Sequence, residues 1–349
     1  MTWLFHPVLI AAVALGVRTL LRRGEPRHLV LASAALVAVG LMAGASVAAD
    51  AFHVLRLAAY VLFVYLPVFL CLSAWGFRAR GPRIAAASVV VAFIVSLVGA
   101  WAFLIEPRYL EVSRVELTSP KLDHPVRIAV VADLQTDHIG DYERRALGAV
   151  MEASPDLVLL TGDYLQVGSA QRLRLAEALR ELLADLRFDA PLGVFAVGGD
   201  VEQDPDWPSI FAGTRVTPIE SLSTFEAGPV TVTALPLGPS RAGIPIAPVD
   251  NFHVVFGHAP DYALTRPPAE LLVAGHTHGG QVRLPFFGPI LTLSRVPRSW
   301  AAGVTDLGNG STLVVSRGIG MERGRAPRLR FLCRPEVVVI DVLPEAQTR

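Results

Sequence analysis

Acidic and histidine side chains follow five short apolar runs in the last two-thirds of the 349-residue chain. They are Asp133, Asp163, Asp200, His258, His276 and His278. One Asp after a strand is commonly a turn residue or a helix cap, but turns do not explain five strand ends that each carry Asp or His. Carboxylates and neutral imidazoles bind Mn, Fe and Zn, and more than four donors indicate more than one ion. Two cations ~3.5–4 Å apart can clamp a phosphoryl group and activate water, so the pattern predicts hydrolysis of a phosphate ester or pyrophosphate.

The most specific stretch is residues 275–281, which read Gly-His-Thr-His-Gly-Gly-Gln. A bare His-x-His is a weak signal. After a strand, however, such a turn can aim two imidazoles into one site, and glycines let the backbone pass close to metals and substrate. The flanking glycines therefore make this stretch strong evidence for a metal site.

Short apolar runs rich in β-branched residues, each bounded by turn residues, predict buried strands between these candidates. The predicted strands are 126–132, 157–160, 193–197, 230–235, 252–256, 271–274, 312–315 and 337–342. Helical spacing of apolar residues predicts helices over 142–152 and 170–186. Alternation of strands and helices indicates an α/β domain, whose ligands lie at the carboxyl ends of the strands.

The first third of the chain has a different composition. Overall, 52% of the residues are hydrophobic, and the excess lies before residue 106. Four apolar runs, 3–21, 29–49, 57–77 and 84–105, each reach the ~20 residues that a membrane-spanning helix needs. The first run could instead be a signal peptide. A signal peptide carries its positive charges before its apolar run, but here Arg18, Arg22 and Arg23 lie at or after the end of the run.

The positive charges of the short loops predict the orientation of these spans. The first loop carries Arg22, Arg23 and Arg27, and the third carries Arg78, Arg80 and Arg83. Lys- and Arg-rich loops stay in the cytoplasm, so both termini and the domain after the last span are predicted to be extracytoplasmic. We expect a multi-pass protein of the cell membrane, with residues 1–106 as a transmembrane anchor and 107–349 as the catalytic domain.

Charge and cysteine content exclude several classes of protein. The formal net charge is +0, which gives no electrostatic reason to expect a nucleic-acid partner. The two cysteines, Cys71 and Cys333, have no plausible mate, so neither a disulfide framework nor a cysteine metal site is expected. No acid–base relay lies within the spans, which argues against a transporter or sensor whose membrane half is the working part.

Five stretches occur in the order of the motifs of the calcineurin-like metallophosphoesterases. They are Asp133-Leu134-Gln135, Leu160-Thr161-Gly162-Asp163-Tyr164, Val197-Gly198-Gly199-Asp200-Val201-Glu202, Gly257-His258-Ala259-Pro260-Asp261 and residues 275–281. The stretch Ser316-Arg317-Gly318-Ile319-Gly320, with residues 328–336, resembles the end of the bacterial membrane-linked branch of that family. The resemblance covers about residues 126–342. The resemblance implies a four-layer α/β/β/α sandwich and a centre of two divalent cations, of Mn, Fe or Zn.

The resemblance also implies roles for the matched residues. Asp133 and His278 would bind the first cation, Asp163 would bridge the two, and His258 and His276 would bind the second. Asp200 replaces the metal-binding Asn of the third motif. Gln135 replaces the His of the first motif, and its amide oxygen can ligate a hard cation, with Asp137 or His138 as compensating donors.

The third motif departs from the family at a second position. Val201 replaces the His that contacts the phosphoryl group, which leaves open a general-acid role worth typically ~10²–10⁴-fold. Glu202 and His138 are the candidates for it. Loss of this acid harms an alkoxide leaving group most and an acidic one, such as a phosphate, least.

Beside the fifth motif, Arg283, Arg295 and Arg298 could meet substrate phosphate or lie on a solvated surface. Phe286 and Phe287 could form an apolar wall for a lipid tail or pack within their own loop. The membrane spans make a lipid-linked phosphate or pyrophosphate the expected substrate. The alternative is a catalytically degenerate membrane module that binds phosphate without turnover.

Overall fold

The computed structural model describes residues 4–23, 25 and 28–345. The start of the first apolar run at Trp3 and the loop charge of Arg27 lie outside the described residues. The chain divides into two compact units, one of Met1–Ile105 with Gly324–Arg328 and one of Glu106–Arg323 with Leu329–Arg349. The predicted assignment of residues 1–106 as an anchor and 107–349 as the catalytic domain stays a prediction.

The first unit is helical. Its helices are α1 (Phe5–Arg23), α2 (His28–Val47), α3 (Ala51–Tyr60), α4 (Leu66–Phe77) and α5 (Pro82–Ala100). A π-helical turn joins α3 and α4 into one continuous span, so four stretches among the described residues are long and apolar enough to cross a membrane. These four agree with the four predicted runs.

Small residues let these helices approach closely. A Cβ added at Gly40 would lie 2.5 Å from the side chain of Val61, and one at Gly99 would lie 2.8 Å from the ring of Phe63. Such contacts are typical of helices that pack in lipid, where the hydrophobic effect does not drive their association.

The second unit contains fourteen strands and three α-helices among the described residues. The strands are β1 (Glu111–Ser119), β2 (Val126–Val131), β3 (Leu157–Leu160), β4 (Val194–Val197), β5 (Val216–Ile219), β6 (Ser223–Ala227), β7 (Val230–Leu235), β8 (Phe252–Gly257), β9 (Leu271–Ala274), β10 (Arg283–Leu284), β11 (Gly288–Pro289), β12 (Gly303–Asp306), β13 (Thr312–Val315) and β14 (Glu336–Pro344). The helices are α6 (Asp141–Glu152), α7 (Ser169–Asp185) and α8 (Leu237–Ala242). All eight predicted strands and both predicted helices of this half are confirmed.

Twelve of these strands form two mixed six-stranded sheets, and β10 and β11 form a hairpin. The strand orders are β1-β14-β2-β3-β4-β5 and β12-β13-β9-β8-β7-β6. Strands β2 to β5 are parallel to one another, as are β7, β8, β9 and β13. This arrangement brings the carboxyl ends of β2, β3 and β4 to one edge of the first sheet, and those of β8 and β9 to one edge of the second.

A dry apolar core fills the space between the two sheets. Ile128 and Leu159 of the first sheet belong to the same buried cluster as Val254, Phe256 and Val273 of the second. The outer face of the first sheet is covered by α6 and α7, through residues such as Leu147 and Leu179. Burial on both faces explains why the central strands are almost continuously apolar.

The outer face of the second sheet is covered by shorter elements. A 3₁₀ turn at Pro260–Thr265 places the fully buried Tyr262 against Val255 and Leu272, and α8 lies beside it. The predicted α/β/β/α sandwich is confirmed, with a thin fourth layer.

Strands β1, β5, β6, β10, β11 and β12 were not predicted from the sequence. Strand β1 reads Glu-Val-Ser-Arg-Val-Glu-Leu-Thr-Ser, and its residues are alternately exposed and partly buried. It lies at the edge of its sheet, where it pairs with one strand and its polar side chains reach water. Its composition therefore lacks the apolar run by which the central strands were found.

Candidate metal centre

The loops that follow β2 and β3 run side by side. The backbone N–H groups of Asp133, Gln135 and Thr136 donate to the carbonyls of Gly162, Asp163 and Tyr164, in that order, at 3.1, 2.7 and 3.0 Å. Because this pairing continues beyond the ends of the strands, it holds the carboxylates of Asp133 and Asp163 next to each other.

A second link joins the two histidine loops of the other sheet. The N–H of Gly275 donates to the carbonyl of His258 at 3.0 Å. The N–H of His276 in turn lies 3.0 Å from both carboxylate oxygens of Asp133. The ends of the two sheets are therefore tied together at the site itself.

Five of the predicted ligands come together in two overlapping groups. Asp200, His258 and His276 form one, and Asp133, Asp163 and His258 form the other. Within each group, one candidate ligand atom from every residue lies within 4.8 Å of the others. His258 belongs to both groups, so the two candidate positions for a cation are adjacent.

The donor atoms face one another at short range. His258 Nε2 lies 3.4 Å from Asp200 Oδ2 and 3.6 Å from Asp163 Oδ2. His276 Nδ1 lies 3.0 Å from Asp200 Oδ2 and 3.2 Å from His258 Nε2. Two imidazole nitrogens and two carboxylate oxygens thus converge on one small volume.

Backbone carbonyls select the tautomer of each histidine. His258 Nδ1 lies 2.8 Å from the carbonyl of Thr161, and His276 Nε2 lies 3.0 Å from the carbonyl of Leu293. A carbonyl can only accept, so those nitrogens carry the protons in the neutral rings. The lone pairs then belong to His258 Nε2 and His276 Nδ1, the two atoms that face the acidic group, which is how metal-binding histidines are commonly oriented.

Most of the candidate ligands have a left-handed backbone, which is uncommon for residues other than glycine. The φ angles are 47° at Asp133, 33° at Gln135, 56° at Asp163, 68° at His276 and 48° at His278. Such conformations cost free energy and cluster at functional sites. No property of the residue types reveals them in the sequence.

The acidic groups are buried and repel one another, so the site needs positive charge. Burial, reinforced by the charge of Asp163, raises the pKa of Asp133 to about 7. Burial acts to lower the pKa of His258, but Asp163 and Asp200 outweigh it and raise that pKa to about 10. Both shifts show that the site favours added positive charge, which bound cations would supply.

The residues present fit divalent cations. The donor set is oxygen and nitrogen, the histidine lone pairs are correctly turned, and two predicted ligands carry buried atoms without a hydrogen-bond partner among the described residues. Those atoms are Gln135 Oε1 and His278 Nδ1. Neither residue belongs to the two groups above, so their roles as ligands stay predictions.

A hydrogen-bond network that the sequence did not indicate holds the side chain of Gln135. Its Nε2 donates to Glu322 at 2.9 Å, and the amide of Gln166 donates to the other oxygen of Glu322 at 2.6 Å. Since a carboxylate can only accept these bonds, Glu322 fixes which end of the Gln135 amide carries the free oxygen. The backbone N–H of Arg323 donates to Gln166 and completes the network.

The two predicted proton donors lie in different settings. Both oxygens of the buried Glu202 accept backbone N–H groups, from Asp163 and Gly199 at 2.8 and 3.0 Å and from Tyr164 at 2.9 Å. This favours a structural role for Glu202 over the predicted catalytic one, because it holds the third motif against the second. His138 is exposed and lies in neither ligand group. The predicted role of each as an acid remains a prediction.

Asp200 has a partner that sequence spacing did not indicate. Nη2 of Arg241, in α8, lies 2.7 and 2.6 Å from the two oxygens of Asp200. Partial burial acts to raise the pKa of Asp200, but its bonds to His258 and His276 lower it. The extra negative charge of Asp at this position is therefore matched by an arginine.

Gly199 lies where no side chain fits, so Gly199→Ala should weaken metal binding. A Cβ there would be 2.3 Å from Asp163 Oδ1 and 2.8 Å from the ring of His258. We expect the full chain carrying Gly199→Ala to bind less than half of the manganese bound by the wild type, measured by elemental analysis after gel filtration. Gly168→Ala is the matched control, because nothing lies within 4 Å of its added Cβ. Equal metal content in the two variants would contradict the described geometry.

Glu322→Ala should weaken metal binding because it releases the Gln135 amide. Loss of a residue that orients a ligand typically costs about 10–100-fold in metal affinity. We expect at least a 10-fold loss, measured by competition of the full chain with a chromogenic chelator for manganese. Glu181→Ala, at an exposed position of α7, is the control. An affinity of Glu322→Ala within twofold of the control would remove Glu322 and Gln135 from the centre.

Comparison with known proteins agrees with this geometry. The calcineurin-like phosphoesterase family matches residues 126–280, which run from β2 through the His276 loop. The uncharacterized metallophosphoesterase YkuE of Bacillus subtilis is 27% identical over 262 residues, 69% of this chain and 88% of that protein. The phosphodiesterase YaeI of Escherichia coli is 28% identical over 262 residues, with shares of 68% and 90%.

A third relative is the UDP-2,3-diacylglucosamine pyrophosphatase LpxG of Chlamydia trachomatis. It is 24% identical over an alignment of 318 positions, which covers 71% of this chain and 94% of that protein. The three relatives are a metallophosphoesterase, a phosphodiesterase and a pyrophosphatase, all of them hydrolases. The chain carries a calcineurin-like metallophosphoesterase domain, the domain of a family of metal-dependent hydrolases.

Proposed function

We propose that this protein is a membrane-anchored phosphohydrolase with two divalent cations, and that it cleaves a phosphate ester or a pyrophosphate. The observation that carries the proposal is the pair of ligand groups that share His258. Adjacent cations polarise a phosphoryl group and make water nucleophilic at neutral pH. Mn, Fe and Zn all suit this donor set.

Each residue of the centre would have a distinct role. Asp133 and Asp163 would hold one cation, and Asp200, His258 and His276 would hold the other. His258 has its one free lone pair on Nε2, so it would bind a single cation. Arg241 donates to both oxygens of Asp200 and so holds this carboxylate in place. The carbonyls of Thr161 and Leu293 hold the imidazole protons away from the reacting centre, so that both rings act as ligands and not as acids.

The departing group receives no proton from position 201, because Val201 has none to give. The oxygens of Glu202, two residues away in the chain, are already engaged by backbone N–H groups. This arrangement supports a substrate whose leaving group departs as a stable anion. A pyrophosphate, which releases a phosphate, meets that requirement better than an alkyl ester does.

The proposed location rests on the first unit. Four helices are long and apolar enough to cross a membrane, which suggests a membrane protein. We propose that they anchor the enzyme and that its catalytic domain is extracytoplasmic, because the first and third loops carry the arginines. The relative LpxG is named for a diacylated substrate, which supports a lipid-linked substrate for this chain as well.

Replacement of His258 tests the proposed reaction. The full chain in detergent with added manganese should hydrolyse bis(p-nitrophenyl) phosphate, whose leaving group departs as a stable anion. His258→Ala removes a donor from both ligand groups, so we expect kcat/KM to fall at least 100-fold and bound manganese to fall with it. His124→Ala, at an exposed position, is the control.

Two results would contradict the proposal. One is a wild-type chain that binds manganese but does not turn over with Mn, Fe or Zn, which would favour the degenerate phosphate-binding module that Val201 suggests. The other is a His258→Ala variant as active as His124→Ala, which would place the reaction elsewhere.

A further inference from the structure

A cavity of about 710 Å³ opens directly beside the candidate metal centre. His276 forms part of its wall, and the side chains around it include Arg241, Leu291, Leu293, Arg295 and Arg298. The hydrogen bond from His276 to the carbonyl of Leu293 joins this wall to a predicted metal ligand. Whatever occupies the cavity therefore lies next to the reacting phosphoryl group.

One side of the cavity is cationic. Its lining contains three arginines and one carboxylate, that of Asp261. Arg295 Nε lies 2.9 Å from Asp261, and its Nη2 donates to the carbonyl of Arg241, so this arginine is fixed in place. Arg241 is paired with Asp200, and Arg295 is paired with Asp261, so among the described residues the uncompensated positive charge of the wall is that of Arg298. This charge favours an anionic group and suits the head of a phosphorylated substrate.

The other side is apolar and open to solvent. Ile290, Leu291 and Leu293 are 47, 42 and 54% exposed. In the β10–β11 hairpin beside them, Phe286 is fully exposed and Phe287 is 56% exposed. Single exposed apolar residues are ordinary, but a contiguous group of this size beside a cavity marks a binding surface.

The cationic and apolar sides meet at one contact. The guanidinium carbon of Arg298 lies 4.6 Å from the centre of the Phe287 ring. The wall of the cavity thus combines a predicted metal ligand, arginines and apolar side chains. This combination matches one kind of molecule, which carries a phosphate and an apolar chain.

We propose that this cavity binds the non-reacting part of the substrate, and that the substrate is a single amphiphile whose apolar chain lies against Leu291, Leu293 and Phe287. The inference rests on the proposed phosphohydrolase function and specifies its substrate class. The arginines recognise the anionic head, which every substrate of this reaction possesses. The apolar side chains recognise the tail, which only an amphiphile possesses.

Two substrates that differ only in the tail separate these contributions. They are methyl p-nitrophenyl phosphate and decyl p-nitrophenyl phosphate, which share a leaving group and a charge. The full chain in lipid nanodiscs is assayed with manganese, at substrate concentrations below micelle formation. We expect kcat/KM for the decyl ester to exceed that for the methyl ester by about 10-fold or more, the effect of burying two or more methylene groups.

The variant Leu291→Ser tests the apolar side. We expect the decyl-to-methyl ratio of kcat/KM to fall at least fivefold, and Phe287→Ser to act in the same direction. Leu173→Ser changes an equally apolar side chain that is 71% exposed on α7, and it should keep the wild-type ratio. Arg298→Gln tests the cationic side and should lower kcat/KM at least threefold for both esters, whereas the exposed Arg215→Gln should lower neither.

The failures of the two proposals can be told apart. A wild type that hydrolyses neither ester overturns the phosphohydrolase function itself. A wild type that hydrolyses both at similar rates leaves that function standing and overturns the amphiphile. A decyl preference that survives in Leu291→Ser and Phe287→Ser also overturns the inference, because the tail is then held elsewhere, the nanodisc lipids included.

Discussion

The mutual repulsion of buried carboxylates at the meeting edge of two sheets is the constraint on which the rest of this site depends. Asp133 is fully buried and Asp163 nearly so, and both lie beside His258. Carboxylates cannot stay ionised in such a place without nearby positive charge. Protons meet that need in part, as the raised pKa values of Asp133 and His258 indicate. Divalent cations supply this positive charge fully, since each carries two charges and accepts the lone pairs that face the site.

The fold supplies the rigidity that keeps these charges together. Each ligand follows a strand buried on both faces, and the two sheets share one dry core. Backbone hydrogen bonds between the ends of neighbouring strands then fix the loops. Gly199 and Gly275 let the chain pass within contact of Asp163 and Asp133, where a Cβ would collide with their carboxylate oxygens. Left-handed backbone at Asp133, Asp163 and His276 is sustained because so many contacts determine it.

Sequence reasoning could find the central strands and the ligands at their ends, because buried parallel strands are almost wholly apolar and the ligands stand out against them. It could not find the residues that support those ligands. Glu322 lies 187 positions from Gln135, and Arg241 lies 41 from Asp200, so no local pattern connects either pair. The position of Glu202 in the third motif predicted a proton donor, but the sequence could not show that backbone N–H groups donate to both of its oxygens. The edge strand β1 was missed because its polar, alternating sequence has no buried run.

The location of bound cations tests this account most directly. Crystals of the full chain grown with manganese and measured near the manganese absorption edge would show each ion as an anomalous peak. The account predicts two peaks, ~3.5–4 Å apart as in other two-metal sites. One should lie among Asp200, His258 and His276, and the other beside Asp133, with Asp163 within reach of both. A single peak, or peaks away from these side chains, would contradict it.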